Sequence, residues 1–230
     1  MNKKNFRLLA IGLVILLVVS GITAFFILAS SSDAIRVACV GDSLTQLTTY
    51  PYDLGMLLGT ANYTVRNFGA GSTTISLNTE TPYMNAIVFQ EAMEFQPNIV
   101  IIMLGTNDAQ PNLTQSNASL VNDYVKLVTA FQGLPSKPKI WSVLPPPVFS
   151  NQSGKIDPEY FQLTVIPCIE QAANETNLPI IDVYSALASY SDYFPDGVHP
   201  NSAGAKLIAD EIYEAIISQN TSPIASPIDT

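Results

Sequence analysis

The sequence predicts one three-layer α/β domain built on a parallel sheet. Three observations lead there. Short apolar runs alternate with longer segments of helical spacing from about Ala34 onward, which is the pattern of repeated βα units with right-handed crossovers. The run Ile99-Val-Ile-Ile-Met-Leu104 is apolar at every position, as a strand covered on both faces must be. Small residues and chemically capable side chains gather directly after several runs, where open parallel sheets bind ligands.

The strand candidates are Ile35–Val40, Tyr63–Asn67, Ile99–Leu104, Ile140–Leu144 and Ile180–Val183. Pro145-Pro146-Pro147 ends the fourth, because three missing N–H donors cannot continue a central ladder. Leu120, Tyr124, Val128 and Phe131 recur at helical spacing with Gly133 in the place of a C-terminal cap. Leu207, Ile208, Ile212, Ala215 and Ile216 do the same after Asn201, a suitable N-cap. Further helices are expected over Pro51–Gly59, Pro82–Phe95 and Pro158–Thr176. No internal repeat interrupts this order, and the domain is expected over 34–218. Gln219 to Thr230, broken by Pro223 and Pro227, reads as a loose tail.

The first thirty residues stand apart. Leu8 to Ala29 carries no charge and is long enough for a bilayer, which takes about 20 apolar residues as a helix. Lys3, Lys4 and Arg7 precede it, so the N-terminus is expected in the cytoplasm and the domain outside. A retained anchor fits the length of the run better than a signal peptide cut after Ala29-Ser30-Ser31, and both readings export the domain. Asn-x-Ser/Thr triplets at Asn62, Asn112, Asn117, Asn151, Asn174 and Asn220 would then be open to glycosylation.

Beyond that segment seven Lys and Arg face all nineteen Asp and Glu, a balance that excludes nucleic acid as a partner. Two cysteines, Cys39 and Cys168, read as small buried hydrophobes rather than a disulfide. With one histidine beside them they cannot supply a structural zinc shell, so neither a metal nor a cofactor is expected.

His199 is the sole histidine, so any imidazole serving as general base must be this one. Asp196 lies three residues before it, close enough to accept from Nδ1–H and leave Nε2 facing a nucleophile. Asp182, at the end of the fifth run, is the competing orienter. Ser43 follows the first run within Gly41-Asp42-Ser43, either as a helix N-cap or as the nucleophile itself. Asn67-Phe68-Gly69-Ala70-Gly71-Ser72 follows the second run, and Gly105-Thr106-Asn107-Asp108 the third. Asp42 and Asp108 suit backbone hydrogen bonding. Trp141 and Tyr50 could line a sugar site, with the core as the plainer reading for both.

These four blocks, with Gly41-Asp42-Ser43-Leu44 first and Asp196-Gly197-Val198-His199-Pro200 last, resemble those of the SGNH hydrolases, the GDSL esterase/lipase family, across Ala34 to Ser218. The resemblance implies a flavodoxin-like sheet of five parallel strands in the order 2-1-3-4-5. It implies Ser43 as nucleophile, His199 as general base and Asp196 as its orienter. The oxyanion hole it implies combines the N–H of Ser43, the side-chain amide of Asn107 and a backbone N–H from the glycine block. The family's key glycine falls at Ser72 here, with glycine at Gly71, so either residue could supply that last donor. Val143 to Phe149 and the Leu104–Pro111 block look like members that deacetylate carbohydrates, sialate O-acetylesterase-like and acetylxylan esterase-like proteins included. Hydrolysis of short or O-acetyl esters of carbohydrates is therefore the expected activity. A lipase or thioesterase with the same triad, and an inactive surface glycoprotein, are the alternatives.

Overall fold

A computed structural model describes residues 34–113, 116–150 and 156–221. Five parallel strands form one sheet: β1 (Ile35–Gly41), β2 (Tyr63–Gly69), β3 (Ile99–Met103), β4 (Lys139–Leu144) and β5 (Ile180–Asp182). Their spatial order is β2-β1-β3-β4-β5, with Val37 opposite both Val65 and Ile99 in the centre. The chain starts in the middle, moves out to one edge, returns and continues to the other. That reversal leaves the carboxyl ends of β1 and β3 side by side at the switch point, where a crevice opens.

The helices are α1 (Ser43–Gln46), α2 (Tyr50–Leu58), α3 (Ile87–Glu94), α4 (Asn117–Gln132), α5 (Pro158–Tyr160), α6 (Ile166–Glu175), α7 (Val183–Leu187) and α8 (Ser202–Thr221). Two of the expected helices are interrupted. The segment from Pro82 to Phe95 splits, because Ala86 adopts an extended conformation between the short turn Tyr83–Asn85 and α3. A π turn over Phe161–Val165 joins α5 to α6. It lies just before Pro167, whose missing N–H cannot bond the carbonyl four residues earlier. Ser116 caps α4 through the N–H of Ser119, and Asn201 caps α8 through Ala203 and Gly204. The last helix runs on through Thr221, three residues into the expected tail.

Alternation along the strands divides the core between the two faces of the sheet. Ala38, Val40, Val100 and Ile102 pack with α4 and α6 residues such as Tyr124, Phe131 and Ile169. Val37, Cys39, Ile99, Ile101 and Met103 pack with Leu54 of α2 and Ile208 and Ile212 of α8. Every side chain of β3 is buried, in accord with its unbroken apolar sequence. Cys39 and Cys168 fall in the two different clusters and are both free thiols. Trp141 and Tyr50 are core residues of the second cluster and line no sugar site.

Among the described residues no helix is long and apolar enough to cross a membrane, and the Leu8–Ala29 stretch lies outside those residues. Asn62, Asn112, Asn117 and Asn174 are exposed, while the side chains of Asn151 and Asn220 also lie outside what is described.

Candidate active site

Strand β1 stops where a side chain can no longer fit. A Cβ on Gly41 would stand 2.6 Å from the carbonyl oxygen of Met103 and overlap Thr45, so only glycine lets β1 run this close to the end of β3. Asp42 then caps α1, accepting the N–H of Leu44 at 2.9 Å. Because the aspartate is the cap, the hydroxyl of Ser43 is not needed for capping. It lies instead 2.9 Å from Nε2 of His199.

His199 reaches that place from the far edge of the sheet, 156 residues along the chain. The stretch Asp196–His199 folds around one carboxylate. Oδ1 of Asp196 accepts the backbone N–H of Val198 at 2.9 Å and of His199 at 2.7 Å, and Oδ2 is 2.7 Å from Nδ1 of the imidazole. Gly197 at φ +81° makes the turn possible. Partial burial pushes the Asp196 carboxyl up, but the bonds from the His199 N–H, its ring and the Val198 N–H outweigh it and hold the group below the usual carboxylate range. A carboxylate at Nδ1 selects the tautomer whose Nε2 lone pair faces Ser43. Asp182 is committed elsewhere, capping α7 through the N–H of Ser185 at 2.9 Å.

The loop after β2 closes the other side. Asn67 clamps it: Oδ1 accepts the N–H of Gly69 at 2.9 Å and Nδ2 donates to the carbonyl of Thr45 at 2.7 Å. Gly71 approaches the serine so closely that a Cβ there would sit 3.9 Å from Cβ of Ser43. Its N–H, however, donates to Oε1 of Gln46 at 2.9 Å. The next residue, Ser72, is held at φ +62°, a left-handed conformation that glycine adopts more easily. Among the described residues the backbone N–H groups of Ser72 and Ser43 have no hydrogen-bond partner. Gln46 carried no mark in the sequence; only its place one turn beyond Ser43 explains its reach.

After β3, Gly105 at φ +126° turns the chain into the short helical turn Thr106–Ala109. Asn107 donates one amide hydrogen to the carbonyl of Thr73 at 3.0 Å, which ties this loop to the Gly71–Ser72 loop and leaves the second amide hydrogen uncommitted. Asp108 acts on backbone, accepting the N–H groups of Ile75 and Ser76 at 2.8 and 2.9 Å. A cleft of about 770 Å³ opens beside Ser72 and Asn107.

Burial sets the remaining charges. Desolvation, followed by repulsion from Asp108, pushes the Asp42 carboxyl up to about 7, although Leu44 N–H and His199 favour its ionised form. The buried Cys39 thiol is pushed up to about 12 by desolvation, so it has little thiolate character. Among the described residues no group of three His, Cys, Asp or Glu side chains is placed to hold a metal ion. A hydroxyl bonded to an imidazole that is bonded in turn to a carboxylate, beside a loop whose Ser72 N–H has no partner among the described residues, is an arrangement suited to acyl transfer.

The model of the GDSL-like lipase/acylhydrolase family matches residues 39–207. The chain is similar to an acetylxylan esterase from Xylanibacter ruminicola, 32% identical over 214 residues that cover 82% of this chain and 44% of that protein. It therefore spans less than half the length of that relative. Its fold is similar to a carbohydrate acetylesterase from Sinorhizobium meliloti, at 18% identity and TM-score 0.64, covering 80% of this chain and 99% of the other. It is equally similar to an inhibitor-bound aryl esterase of M. smegmatis, at 22% identity and TM-score 0.64, with the same coverage. Identities this low speak for the fold alone, whereas the family match runs from β1 into α8. This chain belongs to the GDSL-like lipase/acylhydrolase family.

Proposed function

We propose that the chain is a serine esterase that cleaves carboxylic esters through an acyl-enzyme, acting on short acyl groups and above all on O-acetyl esters of carbohydrates. The observation that carries this reading is the continuous relay from Asp196 Oδ2 to His199 Nδ1 and from His199 Nε2 to Ser43 Oγ. The acetyl-carbohydrate part is supported by the 32% identical relative that bears the name acetylxylan esterase.

In this mechanism Nε2 of His199 takes the hydroxyl proton as Oγ of Ser43 bonds to the ester carbon. The imidazolium that results is stabilised by Asp196, whose lowered carboxyl keeps it ionised. Negative charge moves to the carbonyl oxygen. The N–H groups of Ser43 and Ser72 and the free amide hydrogen of Asn107 are the donors assigned to it, with Ser72 chosen over Gly71 because Gln46 already holds the Gly71 N–H. One such donor contributes roughly 10²–10³ in turnover, since it is in place before the charge forms. The C–O bond then breaks, the alcohol leaves with the proton from Nε2, and the acyl group stays on Ser43. Water, deprotonated by the same nitrogen, attacks the acyl carbon, and Ser43 regains its hydrogen as the acid departs.

Labelling by a fluorophosphonate and turnover of p-nitrophenyl acetate test the reading together. Wild type should show both and Ser43→Ala neither; ordinary turnover by the alanine variant would refute it. We also propose export, with Lys3, Lys4 and Arg7 on the cytoplasmic side of Leu8–Ala29. Protection of the domain from protease added on the cytoplasmic side is the expected outcome.

A further inference from the structure

We infer that the cleft beside Ser72 and Asn107 holds the alcohol side of the ester as an uncharged, polyhydroxylated glycan, and that Glu80 selects against anionic sugars. This rests on the esterase reading and specifies its substrate. The cleft is continuous with the residues assigned to the carbonyl oxygen, since Ser72 and Asn107 line both. Its volume, about 770 Å³, lies within the range of small-molecule sites and far exceeds the need of an acetyl group.

The lining decides what fills that volume. Asn78, Gln110 and Asn112 line the cleft, and their side-chain amides make no hydrogen bond among the described residues. Two hydroxyls are fixed in place: Thr79 Oγ1 lies 2.6 Å from Thr74 Oγ1, and Thr81 Oγ1 donates to the carbonyl of Ser72 at 2.8 Å. Amides and hydroxyls each both donate and accept, which matches the hydroxyls of a sugar ring one for one. A long acyl chain laid along the same wall would strip water from these groups and return no hydrogen bond. Pro111, Leu113 and Ile156 make part of the wall apolar, so the cleft suits a hydroxylated ring with apolar faces better than a fatty chain.

Charge narrows the glycan further. Glu80 is the one ionisable side chain lining the cleft among the described residues, in a chain of net charge −9. A uronate or sialate carboxylate would face that charge, and among the described residues no cation lines the cleft to offset it. Asn112 also opens an Asn-Leu-Thr triplet, and a glycan attached there would occupy the cleft, so this acceptor is expected to be unmodified in active protein.

The test measures binding apart from hydrolysis. Full-length Ser43→Ala protein is titrated calorimetrically with an acetylated xylo-oligosaccharide, which is neutral, and with an acetylated oligogalacturonide of equal length, which is anionic. The neutral ligand should bind at least about fivefold more tightly at low ionic strength. Glu80→Gln in the same background should narrow the gap by about three- to fivefold, the effect of one partly screened charge. Joint replacement of Asn78 and Asn112 by alanine should weaken the neutral ligand about tenfold. Equal binding of the two ligands, or a gap that Glu80→Gln leaves unmoved, overturns the inference. Failure of wild type to hydrolyse p-nitrophenyl acetate would instead strike the esterase reading, while the binding measurements judge the cleft by themselves.

Discussion

Oε1 of Gln46 accepts the backbone N–H of Gly71 at 2.9 Å, so the helix that carries Ser43 and the glycine loop beside it are joined by a side chain. The bond occupies one N–H and presents the next one, that of Ser72. Replacing Gln46 by leucine frees Gly71 and loosens the loop, and a three- to tenfold fall in kcat with a smaller change in KM is expected. Gln46→Glu keeps an acceptor and should recover much of the loss. Equal kcat in the leucine variant and wild type would remove this role.

Ser72 offers a second test of the same loop. A non-glycine residue at φ +62° costs roughly 1–2 kcal/mol, part of which glycine returns through its greater entropy loss on folding. Ser72→Gly should thus gain up to about 1 kcal/mol in stability and keep its turnover, because the assigned donor is backbone. A hundredfold loss of kcat in a folded Ser72→Gly would instead point to the hydroxyl.

Asn107→Ala removes a donor already aimed by its bond to Thr73. The expected loss is about two to three orders of magnitude in kcat with KM nearly unchanged, read by steady-state kinetics on p-nitrophenyl acetate. Asp196→Asn, which leaves the imidazole in the wrong tautomer, should cost a comparable or larger factor.

Asp42 makes stability depend on pH. Its folded carboxyl is pushed up to about 7 from an ordinary 3.8, so in that window the native state holds a proton that the unfolded chain has released. Native proton excess means stability falls as pH rises from about 4 to about 7, and changes no further above it on this group's account. Asp42→Asn has no proton to lose there. The difference in Tm, variant minus wild type, should grow across that window, as followed by thermal denaturation. A constant difference would show that Asp42 titrates normally.

Gly41→Ala tests the packing that brings β1 and β3 together. The new Cβ meets backbone at Met103, which cannot move without disturbing the central strand. A loss of about 3 kcal/mol in denaturant unfolding is expected.

Much of this molecule is legible in its residues. The unbroken apolar stretch of β3, the glycine that ends β1 and the Asp-x-x-His spacing are local patterns, and local patterns follow from steric and hydrogen-bonding rules over a few residues. What those rules miss is also specific. Trp141 and Tyr50 could as well have faced a sugar, and only the packing of the core on one face of the sheet buries them. The π turn before Pro167 and the break at Ala86 arise where the chain must fit its neighbours. Gln46 and Glu80 carry no pattern at all, since an amide or a carboxylate in a polar loop is ordinary until something stands opposite it.

By itself the sequence determined the alternation of strands and helices, the order of the blocks and the residue types able to move a proton, because these depend on periodicity and on chemistry that each residue carries alone. Only the tertiary structure decided that Asp42 rather than Ser43 caps α1, and that Ser72 rather than Gly71 keeps a free N–H. The cap is a bond between near neighbours, but Ser43 is drawn to His199 from 156 residues away and Gly71 is taken by Gln46 from 25 residues away, pairings that only the assembled sheet brings within 3 Å.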